Sequence, residues 1–319
     1  MKYIIETKDL TKKYKNQIGV NKINMKVEKG KIYGLLGKNG AGKTTTMCML
    51  LNLSKPSSGE IYLFGKDYKK NKKEIYSKIG SIIETPGFYE NLTGYENLKI
   101  LSHLRGNCDD ENIREVLNTV GLSFEDDKPY KNYSLGMKQR LGIASAIVHK
   151  PELLILDEPI NGLDPVGIPE IRNYLKKMSR EFNTTILISS HILSEIELLA
   201  DVIGVINEGE LIEEITMEEL NRKKNKYVEF EVTNTQKVES ILNNLNLKLD
   251  TDYLIDKSPL KVKNHEDKFY RLKLYNCVDL RFKINSLFVN SGIEVNKMNL
   301  EEDNLEDYFT SLIGCDIHD

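Results

Sequence analysis

The sequence has little of what would mark a membrane span, a disulfide scaffold or a nucleic-acid binder. No run of about 18 apolar residues occurs, so no transmembrane helix is expected. The first residues, Met1-Lys2-Tyr3-Ile4-Ile5-Glu6, meet an acid before any apolar stretch of signal length. The four cysteines, Cys48, Cys108, Cys277 and Cys315, are far apart and form no C-x-x-C pair, which suits a reduced cytosolic compartment. They read as small core residues or bystanders. Lys and Arg number 45 against 48 Asp and Glu, so no basic excess points to nucleic acid. There is no heptad run, internal repeat or low-complexity segment. A soluble chain is expected, with any membrane role exerted through a partner.

Glycine is scarce in one region. Of 21 glycines, only Gly292 and Gly314 lie beyond residue 220. With 319 residues available, this shift marks a boundary between two domains near residues 217–226. There the charged run Asn221-Arg222-Lys223-Lys224-Asn225-Lys226 reads as a solvated linker.

Before that boundary the densest signal is Gly37-Lys38-Asn39-Gly40-Ala41-Gly42-Lys43-Thr44, followed by Thr45. It fits G-x-x-x-x-G-K-[ST], in which backbone N–H groups of a glycine-rich turn surround phosphates and the lysine adds a point charge. The apolar run at 31–36 predicts a strand before it, and residues 44–53 a helix after it. The positive helix N-terminus then faces the phosphates. A glycine-rich turn without a ligand is the bland alternative, and these flanks argue against it.

The rest of the first domain alternates in type. Ile23, Met25 and Val27 predict a half-buried strand ending at Gly30, and Ile61 and Leu63 another after the turn at 56–59. Thr93 and Glu96 have capping-box spacing and open a helix. Ile113, Val116, Leu117 and Val120 form an apolar stripe closed by Gly121. Residues 153–156 and 184–188 are continuous apolar runs around a helix with Ile168, Ile171, Leu175, Met178 and Phe182 on one face, implying a largely parallel sheet. A meander over 202–206 and 210–215 closes the domain. Beyond residue 226 the periodicity reads β-α-β-β-α-β, the ferredoxin-like split unit, with a terminal helix at 305–313. Residues 300–319 hold seven acids and no Lys or Arg, which reads as a solvated surface.

Hydrolysis of a bound nucleotide needs a metal, a base and a group that senses the terminal phosphate. The strand Leu153-Leu154-Ile155-Leu156 ends in Asp157 and Glu158, where a Mg²⁺-organising carboxylate and a water-activating one would emerge beside the phosphate loop.

In the order of these motifs the chain resembles the ATP-binding subunit of an ABC transporter over residues 1 to about 219. Ser134-Leu135-Gly136-Met137-Lys138-Gln139-Arg140 is similar to the family signature L-S-G-G-Q-x-x-R, departing at Tyr133, Leu135 and Met137. The resemblance implies that Tyr14 stacks on adenine and that residues 37–45 hold the phosphates of ATP. It implies Thr44, Asp157 and Glu84 for Mg²⁺, Glu158 as base, and His191 as the switch histidine. Ser134 and Gly136 would reach the γ-phosphate held by a second nucleotide-binding domain, and residues 159–164 resemble the loop that crosses that interface. Glu84 stands where most of the family carries glutamine. With the S-L-G-M-K-Q-R signature and the added C-terminal domain, it is similar to subunits protecting bacteria against bacitracin and lantibiotic peptides, which implies an ATPase that energises export or clearance of an antimicrobial peptide or other lipophilic drug.

The implied fold is α/β: an ABC-type P-loop ATPase domain over 1–219, of mixed sheet with a helical subdomain at about 88–150. A linker at 220–226 and a small α+β, ferredoxin-like domain at 227–319 follow. The implied partners are an integral membrane transporter subunit, which would hold the chain at the inner face of the membrane, and a second nucleotide-binding domain, from another copy of this chain or from a different chain; no nucleic-acid partner is implied. A soluble ATPase acting on ribosome or nucleic acid, and a regulatory module that binds ATP without turnover, are the competing classes. Having one nucleotide domain and no basic excess argues against the first. Retention of Lys43, Asp157, Glu158 and His191 argues against the second.

Overall fold

The computed structural model describes residues 1–15, 17–83, 87–106, 109–122, 127–256, 258–260, 268–275 and 278–313. Two compact units divide it, Met1–Leu220 and Asn221–Leu312.

The first unit opens with β1 (Tyr3–Tyr14), β2 (Gln17–Ile23), β3 (Lys26–Glu28), β4 (Ile32–Leu36) and α1 (Lys43–Leu50). Next come β5 (Ser58–Leu63), β6 (Lys66–Asp67), α2 (Lys72–Tyr76) and β7 (Ile79–Ile82). Three helices follow, α3 (Gly94–Leu104), α4 (Asp110–Thr119) and α5 (Leu135–Ile147). The unit continues through β8 (Leu153–Asp157), α6 (Gly167–Phe182), β9 (Thr185–Ser189), α7 (Leu193–Leu199), β10 (Val202–Asn207) and β11 (Glu210–Thr216).

Two sheets result. The order β11-β10-β4-β9-β8-β7 is parallel throughout except for the β10–β11 hairpin. Every residue of β4, β8 and β9 is buried, as continuous apolar runs covered on both faces require. An antiparallel sheet β2-β1-β5-β6, with β3 also on β1, carries the other strands. The C-terminal ends of β4, β8 and β9 lie side by side, the place where open α/β sheets bind ligands.

Local chemistry explains the helix limits. Thr93 Oγ1 accepts the Glu96 N–H at 3.2 Å and Glu96 Oε2 accepts the Thr93 N–H at 2.8 Å, so the expected capping box opens α3. The α4 stripe is buried and Gly121 closes it at φ +74°. Phe182, expected on the buried face of α6, is 64% exposed, because the helix stops there with Asn183 in the left-handed region. The helix after the phosphate loop ends at Leu50, three residues short of expectation, and Asn52 turns left-handed behind it.

Ile23, Met25 and Val27 do not share one strand. β2 ends at Ile23 and β3 starts at Lys26, because the Thr7 hydroxyl donates to Ile23 O and accepts the Met25 N–H, bridging a break. All three side chains nevertheless reach the core while Asn24 and Lys26 between them are exposed, so the expected one-face alternation survives the break. The charged run at 221–226 is irregular only at Lys224 and Asn225. Helix α8 (Met217–Lys223) extends through its first half with Leu220 buried beneath, and the next strand begins at Lys226.

The second unit contains β12 (Lys226–Val232), α9 (Thr235–Asn244), β13 (Tyr253–Ile255), β14 (Tyr270–Tyr275), α10 (Arg281–Asn290), β15 (Val295–Glu302) and α11 (Leu305–Ile313). Its antiparallel sheet runs β13-β14-β12-β15. That is the split βαβ arrangement the periodicity predicts. Val228, Phe230 and Val232 pack with Val238, Leu242, Ile284 and Phe288, the two phenylalanine rings meeting edge to face at 5.5 Å.

Candidate nucleotide site

The 37–44 loop leaves β4 and runs into α1. Gly42 caps that helix at φ +110°, and a Cβ there would lie 2.7 Å from Gly19 O, so both conformation and space demand glycine. A Cβ on Gly37 would meet Ile206 O at 2.4 Å. Asn39 and Gly40 form an exposed tip, Lys38 and Thr45 are half buried, and Ala41 anchors the loop in the core.

Lys43 is buried, and its Nζ donates to Gly37 O at 2.7 Å and Lys38 O at 3.2 Å. The ammonium thus arcs back across the loop. Burial lowers its pKa, while the negative charges of Glu158 and Asp157 oppose that shift.

β8 and β9 supply the chemistry. Thr44 Oγ1 donates to Asp157 Oδ2 at 2.7 Å, linking the first turn of α1 to the end of β8. The other oxygen of Asp157 accepts the Ser189 hydroxyl from the end of β9, and that hydroxyl accepts the Glu158 N–H at 3.0 Å. Glu158 sits at φ +49°, a left-handed conformation that costs a non-glycine residue about 1 kcal/mol or more. Its backbone therefore turns sharply away from the strand. The carboxylate accepts Asn161 Nδ2 at 3.1 Å and lies 2.6 Å from His191 Nδ1. A carboxylate has no proton to give, so Nδ1–H is the donor.

Thr44, Asp157, Glu158 and His191 are thus joined in one hydrogen-bonded chain. Sequence reasoning missed two of its members. Ser189 is fully buried and looks like any polar residue ending an apolar strand, while Asn161 sits in a loop read only for its backbone course.

Tyr14 ends β1 and is half exposed, with Lys12 Nζ 5.3 Å from its ring centroid. Its ring lies over Gly19, where a Cβ would come within 2.8 Å, and Gly19 O in turn abuts Gly42. Tyr14 therefore stands beside the phosphate loop.

Ser134 and Gly136 are placed differently. Ser134 caps α5, its Oγ accepting the Met137 N–H at 3.3 Å. A Cβ on Gly136 would lie 3.1 Å from Gly162 O, and Gln139 Nε2 donates to Pro159 O at 2.9 Å. The signature turn is thereby fastened to the 159–164 loop. Among the described residues no hydrogen bond joins Ser134 or Gly136 to the 37–45 loop. Glu84 lies outside the described residues.

This fold and this chain of side chains define a P-loop nucleotide-binding protein. A family model described as ABC transporter matches residues 20–161. Over 314 residues the chain is 52% identical to the bacitracin transport ATP-binding protein BcrA of Enterococcus faecalis, covering 98% of this chain and 97% of that one. It is 47% identical over 209 residues to the lantibiotic transport ATP-binding protein SrtF of Streptococcus pyogenes, covering 66% of this chain and 89% of that protein. A solved ATP-binding subunit of an ABC transporter superposes with a TM-score of 0.63 at 30% identity, over 69% of this chain and 92% of that one. The chain belongs to the ABC transporter ATP-binding family.

Proposed function

We propose that this chain hydrolyses ATP to drive a membrane transporter that exports or clears an antimicrobial peptide of the bacitracin or lantibiotic type. One observation carries the catalytic part: the hydrogen-bonded chain from Thr44 through Asp157 and Ser189 to Glu158 and His191.

ATP lies against the 37–45 loop with its adenine on Tyr14, and the Lys43 ammonium turns from its loop carbonyls to the phosphates. Glu158, oriented by Asn161 and His191, takes the proton of the attacking water. Thr44 and Asp157 present only oxygen donors, the hard ligands Mg²⁺ takes in small number while keeping waters and phosphate oxygens. Those two residues, with Glu84 by resemblance, would hold Mg²⁺, which neutralises phosphate charge when bound.

Ser134 and Gly136, fastened to the 159–164 loop, serve the ATP of a second nucleotide-binding domain across a two-fold axis. Loss of the γ-phosphate then loosens the pair, and that opening and closing moves a membrane subunit contacted near residues 84–96. Among the described residues no helix is long and apolar enough to cross a membrane, so the transport path belongs to that partner. The chain works from the inner face of the membrane. The competing reading, action on ribosome or nucleic acid, gains nothing from the relative BcrA, which is named as a transport protein and matched over 98% of this chain.

The test is expression in a sensitive bacterium together with any multi-span membrane protein found in an adjacent reading frame. Raised resistance to bacitracin or a lantibiotic, abolished by Glu158→Gln, is the expected result. Unchanged sensitivity to both peptides despite active ATP hydrolysis would reject the substrate class and leave the ATPase standing.

A further inference from the structure

Away from the nucleotide, a cavity of about 530 Å³ opens between α4, the C-terminal half of α6 and the N-terminal ends of β8 and β9. Asp157 and Ser189 end those same two strands, so the cavity lies one strand length from the site, about 16 Å at 3.3 Å per residue. Its volume is in the range of small-molecule sites.

The lining is amphipathic. Val116, Ile147, Met178 and the exposed Phe182 ring give it apolar walls. Lys29, Lys150 and Lys177 bring three ammonium groups to it, and Glu115 and Glu152 two carboxylates. Glu152 is already held by Lys78 at 3.0 Å, and among the described residues Lys177 meets only Glu181, at a stretched 3.9 Å. Lys29 and Lys150 make no ion pair among the described residues. The Tyr174 hydroxyl, also in the lining, has no hydrogen-bond partner among them. Burial and nearby Glu115 push its pKa up to about 12, so it keeps its proton near neutral pH and can donate.

Surplus cations and a hydroxyl donor over apolar walls select a particular ligand. We propose that this cavity binds a small amphipathic anion, a single carboxylate or sulfonate head on an apolar body, at a site separate from ATP. The head sits among Lys29, Lys150, Lys177 and Tyr174, and the body lies on Val116, Met178 and Phe182. Since α4 belongs to the helical segment and β8 and β9 to the catalytic sheet, a bound molecule ties those two layers together. The inference does not depend on the transport reading.

The natural chain contains no tryptophan, so Phe182→Trp in the full-length protein gives a single reporter in the wall. Titration with 8-anilinonaphthalene-1-sulfonate is expected to show saturable, one-to-one binding with energy transfer from that tryptophan, unaffected by ATP. Laurate should displace the dye, whereas dodecyltrimethylammonium of equal chain length should not. Lys150→Glu at the exposed rim should weaken binding about tenfold or more, the scale of one charge-assisted hydrogen bond lost and a repulsion gained. Thr119→Phe, which fills the cavity from α4, should weaken it independently. Absent or non-saturable binding, competition by ATP, equal displacement by the cationic detergent, or affinity unmoved in both folded variants would each overturn the proposal.

Discussion

The two halves of the candidate site are built in different ways. Around β8 and β9 the functional side chains hold one another directly: Thr44 to Asp157, Asp157 to Ser189, Ser189 to Glu158, Glu158 to His191. Ser134 and Gly136 have no such link to the phosphate loop and rest instead against the 159–164 loop. The first half is preorganised within one chain, so its lesions act in cis. The second is an edge held against the 159–164 loop, and on the proposed reading its lesions act on the nucleotide of a second nucleotide-binding domain.

The largest expected effect breaks the first half. Glu158→Gln keeps the shape and the Asn161 contact but removes the proposed base, and steady-state ATP hydrolysis should fall by about 10²- to 10⁴-fold while ATP binding persists. Wild-type turnover in that variant would remove Glu158 from the mechanism. Ser189→Ala should come next. It leaves the Glu158 N–H and one oxygen of Asp157 without their buried partner, a loss of about 1–3 kcal/mol, or roughly 5- to 150-fold. The fall should appear in kcat more than in KM for ATP. An equal rise in KM would mean that Ser189 supports nucleotide binding instead of aligning the carboxylates.

Smaller effects concern the frame that carries the two halves. His149 stands between α5 and β8, and burial, with Arg105 nearby, lowers its pKa to about 4, although Ile79 O accepts its Nε2–H. A folded-state pKa below the unfolded value of about 6.5 means that protonation favours unfolding. Stability from this group is full above about pH 6.5 and erodes as pH falls towards 4. Thermal melts of wild type should drop across that window, and His149→Gln should flatten the drop. Identical pH profiles would show that other groups control acid stability. Smallest is Thr93→Ala, which removes the side-chain half of the α3 capping box and should cost about 1 kcal/mol, a few degrees at most in Tm for a unit of this size.

How much of this could be read from residues alone follows from what each residue's role depends on. The P-loop, the Asp157-Glu158 strand end and His191 announce themselves because glycine spacing, buried strands and their polar ends are one-dimensional signals. The split βαβ order of the second unit was legible for the same reason, as alternation and helical periodicity change in register with the elements. Ser189 was not, because its meaning comes from the β8–β9 register that sets it opposite Asp157. Nor was the left-handed backbone at Glu158, which no spacing encodes. The break between Ile23 and Met25 was hidden because side-chain burial kept its period while β1 exchanged partners through Thr7. The charged run after residue 220 looked like a linker because Leu220, buried one residue earlier, is what fixes it as helix.

On the proposed reading Lys43 and Ser134 complete one ATP site only from different nucleotide-binding domains, which in a homodimer are two copies of this chain. Mixing two inactive full-length variants, Lys43→Ala and Ser134→Arg, tests it directly, with ATP hydrolysis as the readout. In a mixed pair one site carries both lesions and the other carries neither. Statistical pairing should then restore about a quarter of the wild-type rate, half the pairs being mixed with one intact site of two. A mixture as inactive as either variant alone, with mixed pairs verified to form, would place Ser134 in cis and contradict the account.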